Sequence, residues 1–561
     1  MRELFQTARS ARRARIEMWQ RAYKLVHNRA WAAGRSSWMP SPAASEIYPI
    51  VAAIVAWMTD QRMTIEFSPA AEPHSPHFQM IQTLTRDLEA VVKANLKATE
   101  ADAEIEKMLF DGCIYGTGFM KTSWDASLAD GAGDGVLERV DPFRFYPDPA
   151  ATSLKNANYL IEARTMTLQE LDRRFPGSAD LAGEAPLEAG TLDVREDELG
   201  GHRAPMANIN GLNGGGPRFG QVGGAGDRVP SQNFADVLTV YECWIREHEV
   251  FVDDEGDDHV EDEWRVILTT ANRVLMEERA IDLWGHGRHP YSRYVPMDIG
   301  EMWGISLVDH LAPLQLSLNR ILAAIQNNTE LAGNPIFIDD KRSGISRTQI
   351  TSRAGQRVTK NTGATAEWLV PPPLPPQMQQ LVAFFIGEME RISGLSAIVR
   401  GASPTGRNAQ GVIDSVQEAA FVRIRNSLRN LERVMRDAGG LLASLIAENY
   451  TSPRLVAVLG DGGQQTSLFL KGRHFYATTA DNTELEPLRF AVNVDAGAAM
   501  PTSRSARSAE ADALFALGAL DVPGLLEAHD YPHAQDIARR IVEQTATGTF
   551  APPGRRAAAR R

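Results

Sequence analysis

A glycine-containing run is the segment whose residue types and spacing come nearest to phosphate chemistry. It reads Asp111-Gly-Cys-Ile-Tyr-Gly-Thr-Gly-Phe-Met-Lys-Thr-Ser-Trp124, and Lys121 and Thr122 would supply the cation and hydroxyl of a nucleotide-binding loop. In such a loop the lysine directly follows the last glycine, whereas two other residues intervene here. Residues 119–124 also alternate like a strand and do not begin a helix. The spacing favours a helix-to-strand turn, in which glycines supply positive φ, over a nucleotide site.

An acidic run between Asp253 and Glu263 is a second segment whose side chains could ligate an ion, in this case calcium. An EF-hand loop needs a carboxylate at its first position and a glycine at its sixth. Aligning the glycine of the run with the sixth position puts Phe251 where the first carboxylate is required. The pattern favours an acidic, solvated loop over a calcium site.

The other metal-binding residue types do not cluster in the sequence. His286 and His289 have no carboxylate-rich segment beside them, and Cys113 and Cys243 lack the spacing of a zinc site. We expect both cysteines to be small buried hydrophobic residues in a reducing compartment. The sequence also lacks G-x-S-x-G, H-E-x-x-H, C-x-x-C and a true Walker A motif. It therefore predicts a protein without catalytic residues, cofactor or metal.

Composition and charge narrow the class of protein further. A chain of 561 residues with 43% apolar content is long enough for three or four domain-sized units. The net charge of −13 argues against a protein that coats DNA, but not against one through which a polyanion slides. No secretory signal opens the sequence, and its longest apolar run, Ile47 to Met58, is too short to span a bilayer. We expect a soluble protein and not a membrane channel.

The N-terminal part is predicted to alternate helices and strands. Apolar periodicity, alternation and a Thr167/Glu170 capping box predict helices at 1–28, 47–61, 78–110 and 167–175 and strands at 157–166, 237–252 and 264–278. The first helix is basic, and a solvated face is favoured there over the alternative of direct DNA contact. Glycines crowd residues 177–231, which we interpret as a flexible insertion, because such a composition cannot offset its own ordering entropy.

The central part is predicted to contain three long helices. They cover 305–331, 377–394 and 409–449, and the last carries an apolar stripe in steps of three and four from Ile413 to Leu445. Between the first two helices, short strands are expected at 335–339, 356–359 and 367–370, and a stiff run of prolines leads into the second helix. Strands within 455–494, a helix at 509–520 and a basic tail at 554–561 are expected near the C-terminus.

Several short phrases resemble the portal proteins of tailed bacteriophages, and they occur in the portal order. They are the D-P-x-x-F/Y-x-D-P phrase that starts at Asp141, the G-R-x-P-Y run at 287–291, the W-G-I-S run at 303–306, the L-Q-x-x-x-N pattern at 314–319 and the stretch from Val494 through Pro501-Thr-Ser-Arg504. The resemblance covers 47–175, 280–450 and 484–542. It implies a ring-forming head-to-tail connector and not an enzyme.

The resemblance also implies an α+β fold with the subdivisions of a portal subunit. These are an α/β N-terminal wing at 1–303 with a flexible insertion at 177–231, a first stem helix at 304–332, a small α/β clip at 333–374, a second stem helix at 375–394, a tunnel loop at 395–409, a long helix and C-terminal wing at 410–500, and an α-helical crown with a basic tail at 501–561. Portal rings in this family are dodecamers at one capsid vertex of the virion, assembled in the host cytoplasm, through which DNA is packaged and ejected.

Partners and site residues follow from the same resemblance. The implied partners are the terminase large subunit, head-completion or adaptor proteins, the major capsid or scaffolding protein, and double-stranded DNA. The clip, with an ordinary soluble β module as the alternative, would dock partners through its basic residues and one tryptophan: Lys341, Arg342, Arg347, Arg353, Arg357, Lys360 and Trp368. The residues expected to face DNA are Glu388 and Glu390 on the second stem helix and Arg400 and Arg407 in the tunnel loop, for which a plain helix connection is the alternative.

Two other functions remain open at this point. A DNA-packaging motor of the terminase type would need ATP, and the lack of a Walker A motif disfavours it. A helical scaffold that does not handle DNA would form monomers or dimers, whereas a portal forms a ring.

Overall fold

The structure, a computed structural model, mixes helices and antiparallel sheets. It describes residues 1–31, 39–60, 64–69, 78–181, 237–252, 258–284, 286–350, 357–369, 371–395, 409–450 and, after them, 454–459, 465–470, 476–478, 485–487, 490–495, 511–518, 520, 524–526, 529 and 537. Most of the 177–231 insertion, the 396–408 segment and the basic tail lie outside these residues.

Two antiparallel sheets dominate the first 303 residues. The larger has the order β4-β5-β6-β7-β8 and the smaller β3-β2-β9. Their strands are β2 (Gly118–Asp125), β3 (Asp134–Val140), β4 (Phe145–Pro147), β5 (Tyr159–Thr167), β6 (Val237–Val252), β7 (Asp258–Thr269), β8 (Val274–Arg279) and β9 (Tyr291–Tyr294). Strand β1 (Thr64–Pro69) instead pairs with β16 (Phe490–Asp495), so an early and a late segment of the chain meet in one ladder.

Helices cover these sheets and continue into the central part of the chain. They are α1 (Arg2–Val26), α2 (Ile47–Asp60), α3 (Phe78–Ala98), α4 (Ala101–Tyr115), α5 (Leu168–Arg174), α6 (Ala280–Trp284), α7 (Leu307–Gly333), α8 (Gln377–Ser393) and α9 (Ala409–Asn449). One main core joins α1, α2, α4, α7 and α9. The predicted stripe on α9 is buried from Ile424 to Leu445, which confirms the helical spacing over the part whose side chains are described.

The segment between α7 and α8 forms one small hairpin. Strand β10 (Ile336–Asp339) pairs with β11 (Ala366–Leu369) in antiparallel register. Further along the chain, β12 (Arg454–Leu459) pairs with β13 (Gln465–Leu470), and β14 (Tyr476–Thr478) pairs with β15 (Leu485–Pro487). Residues 511–516 are helical, as expected.

Four sequence-based expectations were wrong in detail. The helix expected at 78–110 is two helices, because Glu100 adopts a left-handed φ of 52° between them. The strand expected at 264–278 is two strands, β7 and β8, which pair with each other. Residues 258–263 of the acidic run belong to β7, since cross-strand pairing with β6 continues to the end of that hairpin. Residues 357–359 are not a strand.

A tight turn joins α4 to β2, where the glycine run was expected to turn. Gly116 has φ 84° and ends α4, and a Cβ placed on it would overlap the carbonyl oxygen of Gly304. Gly131 has nearly the same φ, 87°, but a Cβ there would meet nothing within 4 Å. A comparison of alanine substitutions at the two positions therefore distinguishes the effect of backbone strain from that of steric crowding.

We expect Gly116→Ala to lower the free energy of unfolding by about 3 kcal/mol, because left-handed strain and overpacking add. Gly131→Ala, which introduces the strain alone, should cost only about 1 kcal/mol. Urea unfolding of both variants measures the difference. Equal losses would mean that the contact with Gly304 does not constrain position 116.

Candidate functional site

The W-G-I-S run anchors the start of α7 to the turn after α4. Ser306 is the N-cap: its hydroxyl accepts from the amide of Val308 at 2.9 Å and donates to the carbonyl of Ile114 at 2.6 Å. The amide of Gly304 donates to the hydroxyl of Thr117 at 3.0 Å. The direction of α7 is therefore set by buried hydrogen bonds to α4 and to the turn after it.

The L-Q-x-x-x-N pattern fixes the opposite side of the same helix. Gln315 and Asn319 are both buried, and their side-chain oxygens accept from the amides of Glu46 and Ala44, each at 3.2 Å. The Gln315 amide group also donates to the carbonyl of Ala44 and to the side chain of Asn319. Gln315 and Asn319 lie one turn apart on α7, and together they form hydrogen bonds with the backbone of the segment that leads into α2.

The D-P phrase is held by an arginine that the sequence placed on a solvated face. Arg12 of α1 is buried, and its guanidinium donates to the carbonyls of Pro142, Phe143 and Phe145 while stacking on the ring of Tyr146 at 3.9 Å. For this position both earlier interpretations, a solvated face and a DNA contact, are wrong. A guanidinium has enough donors to satisfy several carbonyls of a turn at once.

Lys121, the cation of the rejected phosphate loop, lies in a buried ionic cluster between the five-stranded and the three-stranded sheet. Its ammonium contacts the carboxylate of Glu162 at 3.3 Å and that of Glu242, and both acids lie on the larger sheet. The hydroxyl of Tyr291 donates to Glu162 at 2.9 Å, and Arg164 pairs with the same carboxylate at 2.6 Å. Since two carboxylates occupy the ammonium, the cluster joins the sheets and does not bind phosphate.

The electrostatics of this cluster favour the ionised state of Glu162. Burial alone would raise the pKa of its carboxyl group, but the charges of Lys121 and Arg164 outweigh burial and lower that pKa to about 2. The pKa of the Tyr291 phenol is raised, first by burial and then by Glu162. Tyr291 therefore stays protonated and donates to the carboxylate.

His289, Cys113 and Cys243 are buried, and His286 is half-buried. Burial, with the charge of Arg288 second, lowers the pKa of His286 to about 4 and that of His289 to about 3. His289 packs edge-on against Trp264, and both rings are therefore neutral at physiological pH. Cys113 and Cys243 are buried thiols, as expected, and burial raises the pKa of each. The described residues contain no metal-ligand cluster.

Helices α7 and α8 pack against each other and carry the hairpin at their far end. The side-chain amide of Asn328 donates to the carbonyl of Pro372 at 3.0 Å, which ties the end of α7 to the proline lead-in of α8. At the other end of α8, Met389 is buried in the main core. The contact at Asn328 thus lies at the hairpin end of the two helices, and Met389 lies at the end of α8 that enters the main core.

The hairpin presents its cations on a hydrogen-bonded turn. Asn361 donates through its backbone to the carbonyl of Ser343 and through its side chain to that of Arg342, each at 2.9 Å, and the Ser343 hydroxyl donates to Asp339 at 2.8 Å. The predicted residues Lys341, Arg342, Arg357 and Lys360 are exposed, and none forms an ion pair with a described residue. Arg347 begins a short 3-10 turn, whereas Arg353 lies outside the described residues.

An exposed apolar surface follows the hairpin and α8. Trp368 is 51% exposed and packs edge-on against Phe337 at 4.9 Å. Eight of the seventeen exposed large apolar residues in the described part of the chain lie between 334 and 394: Ile336, Ile338, Val358, Trp368, Leu369, Leu381, Phe384 and Ile392. Exposed apolar side chains at this density are typical of a surface that another chain covers.

The residues predicted to face DNA are only partly described. Glu388 and Glu390 lie on α8, and Glu388 pairs with Arg391 at 2.6 Å. Two positions apart on a helix, the two carboxylates point in directions about 200° apart. Arg400 and Arg407 lie outside the described residues.

The chain matches the sequence model of the family described as phage P22-like portal protein over residues 2–559. The chain belongs to this family. It is therefore a portal protein, the head-to-tail connector at the capsid vertex through which the phage genome is packaged. The family is structural and not catalytic, and nothing supports the alternative of a terminase-like ATPase. No curated protein matches the sequence.

Membership in the portal family indicates where the protein acts. Portals form homo-oligomeric rings at a capsid vertex and interact there with capsid and terminase. Within the described part of this chain, no helix combines the length and apolarity that crossing a bilayer requires.

Sequence reasoning missed two sets of residues that position the site. One is Arg12, whose helix gave only a general excess of basic residues. The other is the acidic side of the Lys121 cluster, because Glu162 and Glu242 are 41 and 121 residues away along the chain. A signal for the second was available: Glu162 and Glu242 each interrupt a strand of largely apolar residues.

Proposed function

We propose that this portal subunit has the wing, stem, clip, tunnel-loop and crown subdivisions that the sequence suggested. In this assignment α7 and α8 are the stem helices, the β10–β11 hairpin and its turn are the clip, and α9 is the long wing helix. The tunnel loop precedes α9 and the crown follows residue 500. The support is the position of the projecting hairpin between two packed helices.

We propose further that the ring is a dodecamer without catalytic activity, and that DNA is ejected through it as well as packaged. The observation that carries ring formation is the exposed apolar surface on the stem and clip. In a monomer this surface would face water, whereas in a ring it is buried against the next subunit.

Phe384 on α8 and Val274 on β8 offer a matched test of this proposal, since they are 55% and 57% exposed. We expect Phe384→Asp to prevent ring formation at micromolar concentration, because a carboxylate would be buried in an apolar contact. Val274→Asp should leave the ring intact. Sedimentation velocity at physiological salt and electron microscopy of the purified protein provide the measurement.

The ring proposal is tested most directly by the wild-type protein. A ring with a central hole is the expected image, and its symmetry gives the subunit number. Sedimentation as monomers only would contradict the proposal, and dimers would favour the helical scaffold considered above.

The clip is proposed to dock the terminase large subunit first and head-completion or adaptor proteins later. The exposed cations at 341, 342, 357 and 360 beside exposed Trp368 suit an acidic and aromatic-binding partner surface. Contact with the major capsid or scaffolding protein is part of the same proposal. Assembly in the host cytoplasm precedes incorporation at the vertex.

The channel proposal concerns the charges that DNA would meet. We expect Arg400→Ala combined with Arg407→Ala to reduce retention or translocation of DNA without changing ring assembly, because loop arginines would contact phosphates transiently. Replacing Glu388 and Glu390 by lysine should slow passage through excess phosphate binding. The measurement is DNA packaged per prohead as a function of salt.

The ion pair between Glu388 and Arg391 sharpens the second half of this test. Because that pair neutralises Glu388 locally, Glu388→Lys removes a negative charge and also takes this partner from Arg391, so the single change should slow passage. If the double arginine variant and the double glutamate variant both package as much DNA per prohead as wild type at low and at high salt, these residues do not face DNA.

A further inference from the structure

A cleft of about 500 Å³ opens on the wing, away from the stem and the clip. One wall is the face of α9 from Asn430 to Leu441, and the opposite wall comes from residues 288–298 and from Ser153 to Lys155. Its volume lies within the range of pockets that hold ligands. Neither the channel nor the clip uses it.

Cations outnumber anions in the lining of this cleft. It contains five cationic and two acidic side chains, the latter being Asp298 and Asp437. Arg293 is occupied, because its guanidinium donates to the carbonyl of Glu301 and to the carboxylate of Asp298. The other four cations form no ion pair with a described residue: Lys155, Arg288, Arg433 and Arg436.

The floor of the cleft holds a polar group without a partner. Ser292 is 2% exposed, and its hydroxyl makes no hydrogen bond with any described residue. The neighbouring groups are already satisfied: Asn430 donates to the carbonyl of Val295 at 2.8 Å, and His289 accepts from the amide of Tyr291 at 3.3 Å. A buried hydroxyl left unpaired costs free energy, so the Ser292 hydroxyl is available to a ligand.

Guanidinium groups without a carboxylate partner beside a free hydroxyl are donors that suit an oxyanion, and Arg433, which donates to the side-chain oxygen of Asn430 at 3.1 Å, keeps its other N–H groups for a ligand. We propose that this cleft binds a short acidic peptide segment of a partner protein, with its carboxylates against Arg288, Arg433 and Arg436. A peptide fits better than DNA because Asp437 would repel a uniform polyanion, whereas a backbone amide can donate to it; Asp298 already accepts from Arg293 and from the amide of Gly300. The concave shape also admits a side chain more readily than a duplex. This inference does not rest on the proposed ring or channel.

The test uses the assembled protein and a short fluorescein-labelled peptide with two adjacent glutamates, followed by fluorescence anisotropy. We expect Arg433→Glu and Arg436→Glu each to weaken peptide binding about tenfold or more, as loss of a charged hydrogen bond predicts. Arg429→Glu is the matched control, since Arg429 is exposed on the same helix but outside the lining and its replacement changes the charge equally. Ser292→Ala should weaken binding about threefold without any change in charge.

Sedimentation and thermal unfolding of each variant establish that ring and fold are retained, so a failure here is distinguishable from failure of the ring proposal. Equal weakening by Arg429→Glu, or no binding of the peptide, would overturn the assignment. Parallel titrations use inorganic phosphate and a labelled DNA duplex. The cleft is a phosphate site, and the proposal is wrong, if inorganic phosphate displaces the peptide when the two are compared at the same total negative charge. The same conclusion follows if the Arg433 and Arg436 variants also lose affinity for the duplex.

Discussion

Replacing Lys121 by methionine is expected to lower the free energy of unfolding by about 3–5 kcal/mol, because the change leaves buried carboxylates without their cation. Lys121 and Glu162 have side chains only 4% and 6% exposed, and Glu242 shares the same ammonium. Methionine keeps most of the aliphatic stem, so the loss measures charge and not volume. Urea unfolding followed by tryptophan fluorescence is suitable, since Trp244 donates to Glu242.

The control for this prediction is a lysine in an exposed pair. Lys107 contacts Glu104 at 2.6 Å, but its side chain is 60% exposed. Lys107→Met should change the free energy of unfolding by less than about 1 kcal/mol, because water and salt screen such a pair. Adding Glu242→Gln to Lys121→Met should recover part of the loss. Similar effects of the two lysine changes would show that the buried cluster does not stabilise the wing.

Acid unfolding gives an independent check of the same cluster. The pKa of Glu162 is about 2 in the folded protein, below its value near 4.3 in an unfolded chain. Its ionisation therefore contributes stability that is present above the unfolded value and is lost as the pH falls towards 2. Lys121→Met raises the folded pKa, so this variant should unfold at a higher pH than wild type.

Sequence patterns predicted helices and helix caps well where these depend on residues close together in the chain. The α9 stripe and the Thr167 cap, whose hydroxyl accepts from the Glu170 amide at 3.2 Å, depend on residues three or four positions apart. The helix expected at 78–110 failed at one residue, Glu100, because apolar spacing does not report a left-handed break. The boundary between β7 and β8 was missed for a similar reason. Apolar and polar residues alternate in both strands, and only the pairing of the strands shows where one ends.

Contacts between distant segments were beyond the reach of the sequence. Ser306, Gln315 and Asn319 were identified from the sequence as parts of short motifs. Their structural role is to form hydrogen bonds with residues near 114 and 44, which the sequence does not show. The wing cleft is the extreme case, since its lining comes from three separate parts of the chain. The apolar stripe of α9 gives no indication that the basic residues at 433 and 436 line a cavity. Charge excess in a sequence does not show whether cations are solvated, buried or gathered around a cavity.

Deleting Asn334 to Val370 and closing the gap with a short glycine linker is expected to leave ring formation largely intact and to abolish DNA packaging. The geometry permits the deletion, because Ile336 pairs directly with Leu369 and paired residues lie about 5 Å apart. The contact between Asn328 and Pro372 holds the helix ends together independently of the hairpin. Packaging should fail because the removed segment carries the exposed cations and Trp368.

The measurement pairs sedimentation of the deleted protein with DNA packaged into proheads in the presence of terminase. A milder variant, Trp368→Ala with Lys341→Ala and Arg342→Ala, keeps the hairpin backbone and tests its side chains alone. It should reduce packaging strongly, since an aromatic anchor and adjacent cations dominate many docking surfaces. Ala364, buried under the turn, is left unchanged so that the fold of the hairpin is retained. Packaging at the wild-type level by the deleted protein would show that docking resides elsewhere on the ring, because terminase would then engage a portal that has no clip.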